Sequence, residues 1–331
     1  MSPPVPAPLV DGFGRRHRDL RISVTDRCNF RCTYCMPADG MDWQPREQLL
    51  TFEEIERVAA VCVERFGFNS IRLTGGEPTV RARLPLLIER LARLHVDLAL
   101  TTNGALLGEL SAPLVEAGLT RINVSLDSLR RDRFAAVTRR DELPRVVAGI
   151  RAAVAAGLNP VKINVVVQRG VNDDEIVDLA RFGRDEGVTV RFIEFMPLDA
   201  DGRWGRDAVV PSAEIVAAID AEFPLIAAKR GHAPAARFRY QDGLGEIGVI
   251  GSVTEPFCAS CDRIRLTADG QLRSCLFATD ETDLRALLRS GADDDALAQA
   301  LETTVAGKWA GHGITHVDFI RPARSMSEIG G

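Results

Sequence analysis

Short runs in which apolar and polar residues alternate recur along the first 200 residues, with helical patterns between them. The runs predict six strands, over residues 20–25, 70–74, 97–102, 121–127, 161–168 and 188–196. Apolar residues repeating at helical spacing predict five intervening helices, over residues 51–66, 84–94, 110–117, 144–156 and 174–186. Six βα units in series indicate a mostly parallel sheet covered by helices.

The alternation within the strands narrows the fold class. In the first strand Leu20 and Ile22 alternate with Arg21 and Ser23, and later strands follow the same pattern. Parallel strands that are buried on both faces are usually apolar throughout. A polar, partly cationic face therefore favours an α/β fold with a partial (β/α)6 TIM-like barrel around an anionic ligand. A doubly wound sheet and a sheet face open to solvent are the alternatives.

The pattern changes after residue 200. Residues 199–207 are polar and suit a linker, and the segment beyond them predicts two helices and three short strands, over residues 212–222, 293–306, 237–240, 248–252 and 263–267. We therefore expect a C-terminal α+β extension over residues 201–331. Residues 1–18 contain four prolines and a basic run, which predicts a flexible N-terminal arm. The barrel is then expected over residues 19–200.

Composition excludes several classes of protein. The 331 residues are 46% hydrophobic and 26% charged, which excludes a mostly disordered chain. The net charge is 41 − 46 = −5, so no global basic field attracts a nucleic acid polymer or an anionic lipid. No apolar run of about 18 residues predicts a membrane span. The N-terminus lacks the apolar core of a signal peptide, so we expect a cytoplasmic protein.

The seven cysteines carry the candidate chemistry, because an odd number without an export signal argues against a disulfide framework. Cys28, Cys32 and Cys35 form a C-x3-C-x2-C array directly after the first strand, at the expected C-terminal mouth of the barrel. Three close thiolates suit a [4Fe–4S] cluster with one iron left for an external ligand. The alternatives are a zinc site short of one ligand and three unrelated thiols.

A second array, C-x2-C-x13-C, contains Cys258, Cys261 and Cys275. It is moderately specific, since half of a zinc ribbon begins in the same way. The seventh cysteine, Cys62, falls on the apolar face of the helix predicted over residues 51–66, where a buried structural thiol is expected.

These motifs together resemble a known family. The first cysteine array, with an aromatic residue before its last cysteine, resembles the signature of the radical S-adenosylmethionine (SAM) superfamily, and Thr74-Gly75-Gly76-Glu77-Pro78 resembles its GGE motif. Within that superfamily the chain resembles the GTP 3′,8-cyclase family, which performs the first step of molybdenum cofactor biosynthesis. The segments that match are residues 18–35, 100–104, 121–127, 191–196, 257–265 and 330–331.

The resemblance implies a set of site residues. It implies one [4Fe–4S] cluster on Cys28, Cys32 and Cys35, and an auxiliary [4Fe–4S] cluster on Cys258, Cys261 and Cys275. Positions that contact SAM match Tyr34, Gly76, Ser125 and Met196. Positions that bind GTP match Arg21, Arg72, Thr101, Lys162, Arg263 and Arg265. Arg263, Arg265 and the terminal Gly330 and Gly331 are implied to be catalytic, whereas Arg191 receives no role.

The resemblance also implies a reaction and its partners. A 5′-deoxyadenosyl radical made from SAM would remove the C3′ hydrogen of GTP, and attack on C8 would give (8S)-3′,8-cyclo-7,8-dihydro-GTP. The implied partners are a flavodoxin- or ferredoxin-like electron donor and a downstream cyclic pyranopterin monophosphate synthase, with the chain a monomer or homodimer. The alternatives are a radical SAM peptide-modifying enzyme, which usually has more C-terminal cysteines, and an iron–sulfur electron carrier, which generally closes all four ligands.

Overall fold

The six predicted strands form a parallel array in which each strand pairs with the next along the chain. A computed structural model describes residues 6–199, 202, 204–314 and 319–330. Two short N-terminal strands, β1 (Leu9–Val10) and β2 (Arg16–His17), precede the array. The array consists of β3 (Asp19–Ser23), β4 (Ser70–Thr74), β5 (Asp97–Thr102), β6 (Arg121–Ser125), β7 (Val161–Val167) and β8 (Thr189–Glu194).

Helices connect these strands, and the periodicity predicts all of them except the one over Arg131–Thr138. They are α1 (Phe52–Phe66), α2 (Leu84–Ala92), α3 (Leu107–Glu116), α4 (Arg131–Thr138), α5 (Leu143–Ala155) and α6 (Ile176–Asp185). α1 begins at a capping box in which Thr51 and Glu54 bond each other's backbone N–H groups. The prediction of a buried thiol on this helix is confirmed, since Cys62 is fully buried in the core.

The C-terminal segment adds strands to both edges of the same sheet. Its elements are α7 (Ser212–Glu222), β9 (Leu225–Ala228), β10 (Ala236–Tyr240), β11 (Glu246–Ile250), β12 (Arg263–Leu266), β13 (Gln271–Arg273), β14 (Thr282–Asp283), α8 (Leu284–Arg289), α9 (Asp294–Ala306) and α10 (Met326–Ile329). β12 pairs in parallel with β3, and β11 pairs in parallel with β8. Among the described strands the end strands β14 and β9 do not pair, so the barrel is partial.

The alternation along the strands sorts apolar and polar side chains onto opposite faces, as expected. Leu20, Ile22, Ile71 and Leu73 are fully buried in a core that they share with the helices. The α/β fold with a mostly parallel sheet is therefore confirmed. Within the described ranges, no helix is both long and apolar enough to cross a membrane.

The N-terminal segment is ordered where the sequence predicts a flexible arm. β1 and β2 pair antiparallel, with Leu9 opposite His17. Between them Asp11 is buried and accepts hydrogen bonds from Arg15 Nε at 2.6 Å and from His17 Nε2 at 3.0 Å. This buried polar network holds residues 9–17 in a hairpin, whereas the prolines that precede them and the basic run predict a flexible arm over residues 1–18. Residues 1–5 of the predicted arm lie outside the described residues.

Candidate active site

One cavity follows the inner face of the sheet to the carboxyl ends of the strands and brings most of the predicted site residues together. Of those predicted residues, its lining includes Arg21, Cys28, Cys32, Tyr34, Cys35, Arg72, Gly76, Thr101, Ser125, Met196, Arg263 and Arg265. The predicted residues outside this lining are Lys162, Cys258, Cys261, Cys275 and Gly330. Gly331 lies outside the described residues.

The first triad, Cys28, Cys32 and Cys35, lies in the loop after β3 and forms no disulfide. The Phe30 N–H donates to Cys28 Sγ at 3.3 Å, and Arg31 supports the loop by donating to the Cys28 carbonyl oxygen at 2.7 Å. Burial raises the pKa of Cys28 to about 11 and that of Cys35 to about 12. Three soft sulfur donors on one short loop at the cavity fit an iron–sulfur cluster.

The two glycines of the GGE segment are required by the backbone of this same loop. A Cβ added to Gly75 would lie 2.6 Å from the Thr25 carbonyl oxygen, and one added to Gly76 would lie 2.3 Å from that of Asp26. Both contacts are far too close for a side chain. The glycines therefore let the cysteine loop lie directly over the end of β4, whatever ligand the cavity holds.

Glu77, the acidic residue of the same segment, is fully buried without a cationic partner among its hydrogen bonds. Its carboxylate accepts from Thr79 N–H and Thr102 Oγ1, at 3.0 and 2.6 Å, and from Asn103 N–H at 2.6 Å. Burial raises its pKa, and these hydrogen bonds oppose that rise. Glu77 lines the cavity next to the first triad, so it offers an anionic hydrogen-bond acceptor there.

Asp127 is a cavity residue that the sequence does not single out. Its Oδ2 accepts a 2.7 Å hydrogen bond from the Tyr34 hydroxyl, and its Oδ1 accepts one of 2.8 Å from the Val166 N–H. Burial raises the pKa of Asp127 to about 6, although both bonds oppose the rise. The pair holds the Tyr34 side chain against the inner end of β6. In the sequence, Asp127 is marked only as a carboxylate directly after a predicted strand. Its contact with Tyr34 is apparent from the fold alone.

Three arginines lie side by side across β12, β3 and β4. Arg265 is in register with Arg21, and Arg21 with Arg72, so their side chains share the inner face of the sheet at a strand spacing of about 4.8 Å. Burial and neighbouring arginines lower the pKa of Arg72 well below its usual range and that of Arg265 to about 9. The nearest carboxylate to Arg21 is Asp19, at 4.0 Å.

This arginine row (Arg265, Arg21 and Arg72) is short of anionic partners. The buried Nε atoms of Arg21 and Arg72 have no hydrogen-bond partner. Like charges held together in a partly dry cavity are unfavourable unless an anion joins them. The row therefore has the charge and the unpaired donors that suit a polyanion.

Two further cations extend the positive surface on β7 and β8. Arg191 lines the cavity and donates to Asn164 Oδ1 at 2.6 Å and to Asn123 Oδ1 at 2.7 Å. Burial and then Arg21 lower its pKa to about 9. Burial and then Arg191 lower the pKa of the neighbouring Lys162 to about 8.

The sequence assigns no role to Arg191, because alternation along the predicted strand places its side chain on the opposite face from that of Met196. β8 ends at Glu194, so strand alternation no longer decides where Met196 lies. The pairing of Arg191 with Asn164, which follows the polar phase of β7, is what brings it to the inner face.

The second triad, Cys258, Cys261 and Cys275, lies beside β12 and β13. Cys261 Sγ accepts from Arg263 Nη2 at 3.2 Å and from Lys308 Nζ at 3.6 Å. Burial raises the pKa of Cys261, but the opposing effect of Arg263 and Lys308 is larger. The pKa of Cys261 is therefore lowered to about 7. The His312 N–H donates to Cys258.

No three His, Cys, Asp or Glu side chains in the described part of the chain converge closely enough for a single metal ion. The fit of each triad to a cluster therefore rests on its all-thiol donor set and on the electrostatic coupling among the thiols.

The C-terminal tail enters the cavity wall between the two triads. The Gly330 carbonyl oxygen accepts a 2.6 Å hydrogen bond from Arg265 Nη1, and the Ser327 N–H donates to Cys35. Gly330 has φ +80°, and a Cβ there would lie 2.5 Å from Thr74 Oγ1. A glycine is thus needed at this position both for its backbone angle and for space.

The sequence matches known families over most of its length. Residues 22–183 match the Radical SAM superfamily, and residues 188–314 match Molybdenum Cofactor Synthesis C. The chain is 50% identical over 332 residues to a GTP 3′,8-cyclase of Mycobacterium sp. (strain KMS), covering 99% of this chain and 95% of that protein. It is also 50% identical over 336 residues to GTP 3′,8-cyclase 2 of Mycobacterium tuberculosis (strain ATCC 25618 / H37Rv), covering 99% and 93%.

Solved structures share the fold. SuiB of Streptococcus suis superposes with a TM-score of 0.64 at 14% identity, over 89% of this chain and 68% of SuiB. Methylornithine synthase (PylB) superposes with a TM-score of 0.51 at 18% identity, over 94% and 84%. At these identities the likeness concerns the fold alone.

Proposed function

The chain belongs to the GTP 3′,8-cyclase family of the radical SAM superfamily, and we propose that it converts GTP to (8S)-3′,8-cyclo-7,8-dihydro-GTP, the first step of molybdenum cofactor biosynthesis. The observation that supports this most is the arginine row, because it lies in the same cavity as the first triad. A triphosphate needs several converging cations, and a SAM-binding cluster needs a thiol triad close to the substrate.

The end of the cavity nearest the first triad is proposed to bind SAM. Superfamily membership implies SAM and one [4Fe–4S] cluster, for which Cys28, Cys32 and Cys35 are the ligands we propose. Tyr34, Gly76, Ser125 and Met196 line the cavity there and are the SAM contacts we propose. The buried Glu77 carboxylate suits a cationic group of the cofactor.

The opposite side of the cavity is proposed to bind GTP. Arg21, Arg72, Arg263 and Arg265 suit the phosphates, because guanidinium groups bind phosphate oxygens through paired hydrogen bonds. Thr101 and Lys162 are proposed to bind the same nucleotide, Lys162 from beyond the first layer of lining residues. A second [4Fe–4S] cluster, on Cys258, Cys261 and Cys275, is proposed to meet the guanine base.

A cluster held by Cys28, Cys32 and Cys35, together with SAM, would supply a 5′-deoxyadenosyl radical and release methionine. In the proposed reaction GTP gives up its C3′ hydrogen to that radical, a C3′–C8 bond forms and N7 takes up one proton from solvent. The two electrons that this consumes would come from a flavodoxin- or ferredoxin-like donor. The residues of this chain hold GTP in one orientation through the arginine row and exclude water around the reacting carbons. Arg265 also holds the Gly330 carbonyl, which fixes the C-terminal tail beside the substrate. The product would pass to a cyclic pyranopterin monophosphate synthase.

The test is anaerobic reconstitution with iron and sulfide, followed by incubation with dithionite, SAM and GTP. We expect 5′-deoxyadenosine to form only when GTP is present, together with the cyclised nucleotide detected by mass spectrometry. Formation of 5′-deoxyadenosine that is independent of GTP, without a cyclised product, would reject the proposed substrate.

Cys275→Ser tests the second triad within the same assay. The variant is expected to retain the cluster on the first triad and to lose GTP turnover. Cys62→Ser is the matched control, since Cys62 is a buried core cysteine that belongs to neither triad. Full turnover by Cys275→Ser would remove the second cluster from the proposal.

A further inference from the structure

Lys308 is a buried cation that the proposed reaction does not use. It follows the C-terminal end of α9 and is 4% exposed. Its Nζ donates to the Arg263 carbonyl oxygen at 2.6 Å and contacts Cys261 Sγ at 3.6 Å. Lys308 does not line the cavity that is proposed to bind the substrate.

The charge of Lys308 is balanced by sulfur and not by carboxylate. Within the described residues no Asp or Glu forms an ion pair with it, and the groups that oppose the cost of its burial are Cys261 and Cys275. An unpaired buried ammonium destabilises a protein by several kcal/mol. The sulfurs of Cys261 and Cys275 are therefore the groups that stabilise the charge of Lys308 in the fold.

The choice of lysine is itself unusual in this chain. The sequence contains only three lysines, Lys162, Lys229 and Lys308, among its 41 basic residues. An ammonium group is compact and acts as a point charge, whereas the planar guanidinium needs more space and more acceptors. Lys308 therefore places one compact charge on Cys261, beside the guanidinium of Arg263.

The backbone around Lys308 is held in place from the N-terminal hairpin. Arg15 donates to the carbonyl oxygens of Trp309 and Ala310, at 2.6 and 2.8 Å, and also to that of Cys258. Asp11 in turn holds Arg15. This hydrogen-bond network fixes the backbone on both sides of the contact between Lys308 and Cys261.

We propose that Lys308 is a positioning residue that stabilises the reduced form of the second cluster through its contact with Cys261, and so raises the midpoint potential of that cluster. The inference rests on the second cluster of the proposed function. Three thiolates and a [4Fe–4S]2+ core sum to −1, and one electron from the donor makes the unit −2. A cation beside one sulfur stabilises the second state more than the first.

Arg263 also contacts Cys261, but its role differs. Arg263 lines the cavity, so its charge is shared with the bound triphosphate. Lys308 is not a lining residue and already donates to the Arg263 carbonyl oxygen, so its effect on the cluster is expected to be the same with and without GTP. This separates the two cations experimentally.

The test is an EPR-monitored redox titration of the reconstituted enzyme, with the first-triad cysteines changed to serine so that only the second cluster contributes. Lys308→Met is expected to lower the midpoint potential, with and without GTP. Lys308→Arg, which keeps the charge, is expected to remain near the wild-type potential. Lys229→Met changes an exposed lysine and is the matched control.

The outcomes separate this inference from the proposed function. A Lys308→Met variant with full iron content and an unchanged potential overturns the inference alone, as do equal shifts in Lys308→Met and Lys308→Arg, which would indicate packing. If Lys308→Met loses its iron, Lys308→Gln gives the decisive potential. If the wild-type second triad binds no iron, so that Cys275→Ser leaves the iron content unchanged, the second cluster of the proposed function fails and the inference with it.

Discussion

Arg15 donates a 2.9 Å hydrogen bond to the backbone carbonyl of Cys258, although 243 residues separate the two positions. The same guanidinium pairs with Asp11 and holds two further carbonyls of the segment after α9. The N-terminal hairpin is therefore a support for the second triad. A segment with no proposed contact to substrate thus fixes residues on which the proposed chemistry depends.

Replacing Arg15 tests this support. Arg15→Met leaves the buried Asp11 carboxylate without its ion pair, and we expect a loss of about 3–5 kcal/mol in the free energy of unfolding. The measurement is anaerobic denaturant unfolding of the reconstituted protein. Arg16→Met, at the exposed neighbouring position, should change stability by less than about 0.5 kcal/mol. Equal stabilities of the two variants would contradict the supporting role.

His17 should make stability depend on pH. Burial and then Lys308 lower its pKa from 6.5 to about 4, although Asp11 opposes this shift. Between these two values the unfolded chain binds a proton that the folded chain does not, so stability falls as the pH falls. The expected loss is about 3 kcal/mol between about pH 7 and about pH 4.

Asp11, Arg15 and Lys308 are the charged groups that act on His17. The pKa of Asp11 is about 2, because its hydrogen bonds to His17 and Arg15 outweigh the effect of burial. Asp11 therefore stays ionised across this window. His17→Gln should flatten the stability profile between about pH 4 and about pH 6.5. A profile as steep as that of the wild type would contradict the assignment to His17.

The arginine row should strengthen GTP binding and lower the stability of the ligand-free protein. Arg72→Met removes a buried cation next to Arg21, and we expect the ligand-free protein to gain about 1 kcal/mol in stability. GTP binding should weaken about 10- to 100-fold. Thermal unfolding with and without GTP measures both effects.

Arg93→Met is the control for Arg72→Met, because Arg93 forms an exposed pair with Glu89 on α2. It should leave the GTP-induced rise in Tm intact. A normal GTP response from Arg72→Met would show that the row does not bind the nucleotide.

The affinity for GTP should depend on pH through the charge of Lys162. Its pKa is lowered to about 8 in the free protein, so the ammonium loses its proton as the pH rises through that value. The dissociation constant for GTP should rise about 10-fold between about pH 7 and about pH 9. Lys162→Gln should bind GTP weakly at both pH values. Equal pH dependence in this variant would assign the effect to another group.

Gly330 should be needed for turnover more than for folding. A methyl group there would meet Thr74 and Ser23 and would move the carbonyl that Arg265 holds. We expect Gly330→Ala to lower kcat about 10- to 100-fold. Gly157→Ala is the control, since Gly157 has a similar φ of +89° and no atom within 4 Å of an added Cβ. That variant should lose stability but keep its turnover number.

Much of this protein follows from local pattern. Alternation and helical periodicity locate the strands and helices of the array, because each reports which face of one element is buried. The cysteine spacing identifies the first triad, since its three thiols lie on a single short loop. The second triad, in which Cys275 is distant in sequence from Cys258 and Cys261, is implied by the resemblance to the family. The polar phase of β3 and β4 indicates an interior that binds an anion.

Other features depend on which distant segments become neighbours, and local spacing does not encode this. Strand order sets β12 against β3 and so brings Arg265 beside Arg21. The same long-range pairing makes the N-terminal segment a support for Cys258 and gives Lys308 its sulfur partner. Periodicity specifies the face of each element, whereas the pairing of elements far apart in sequence is decided by the packing of the whole sheet and its helices.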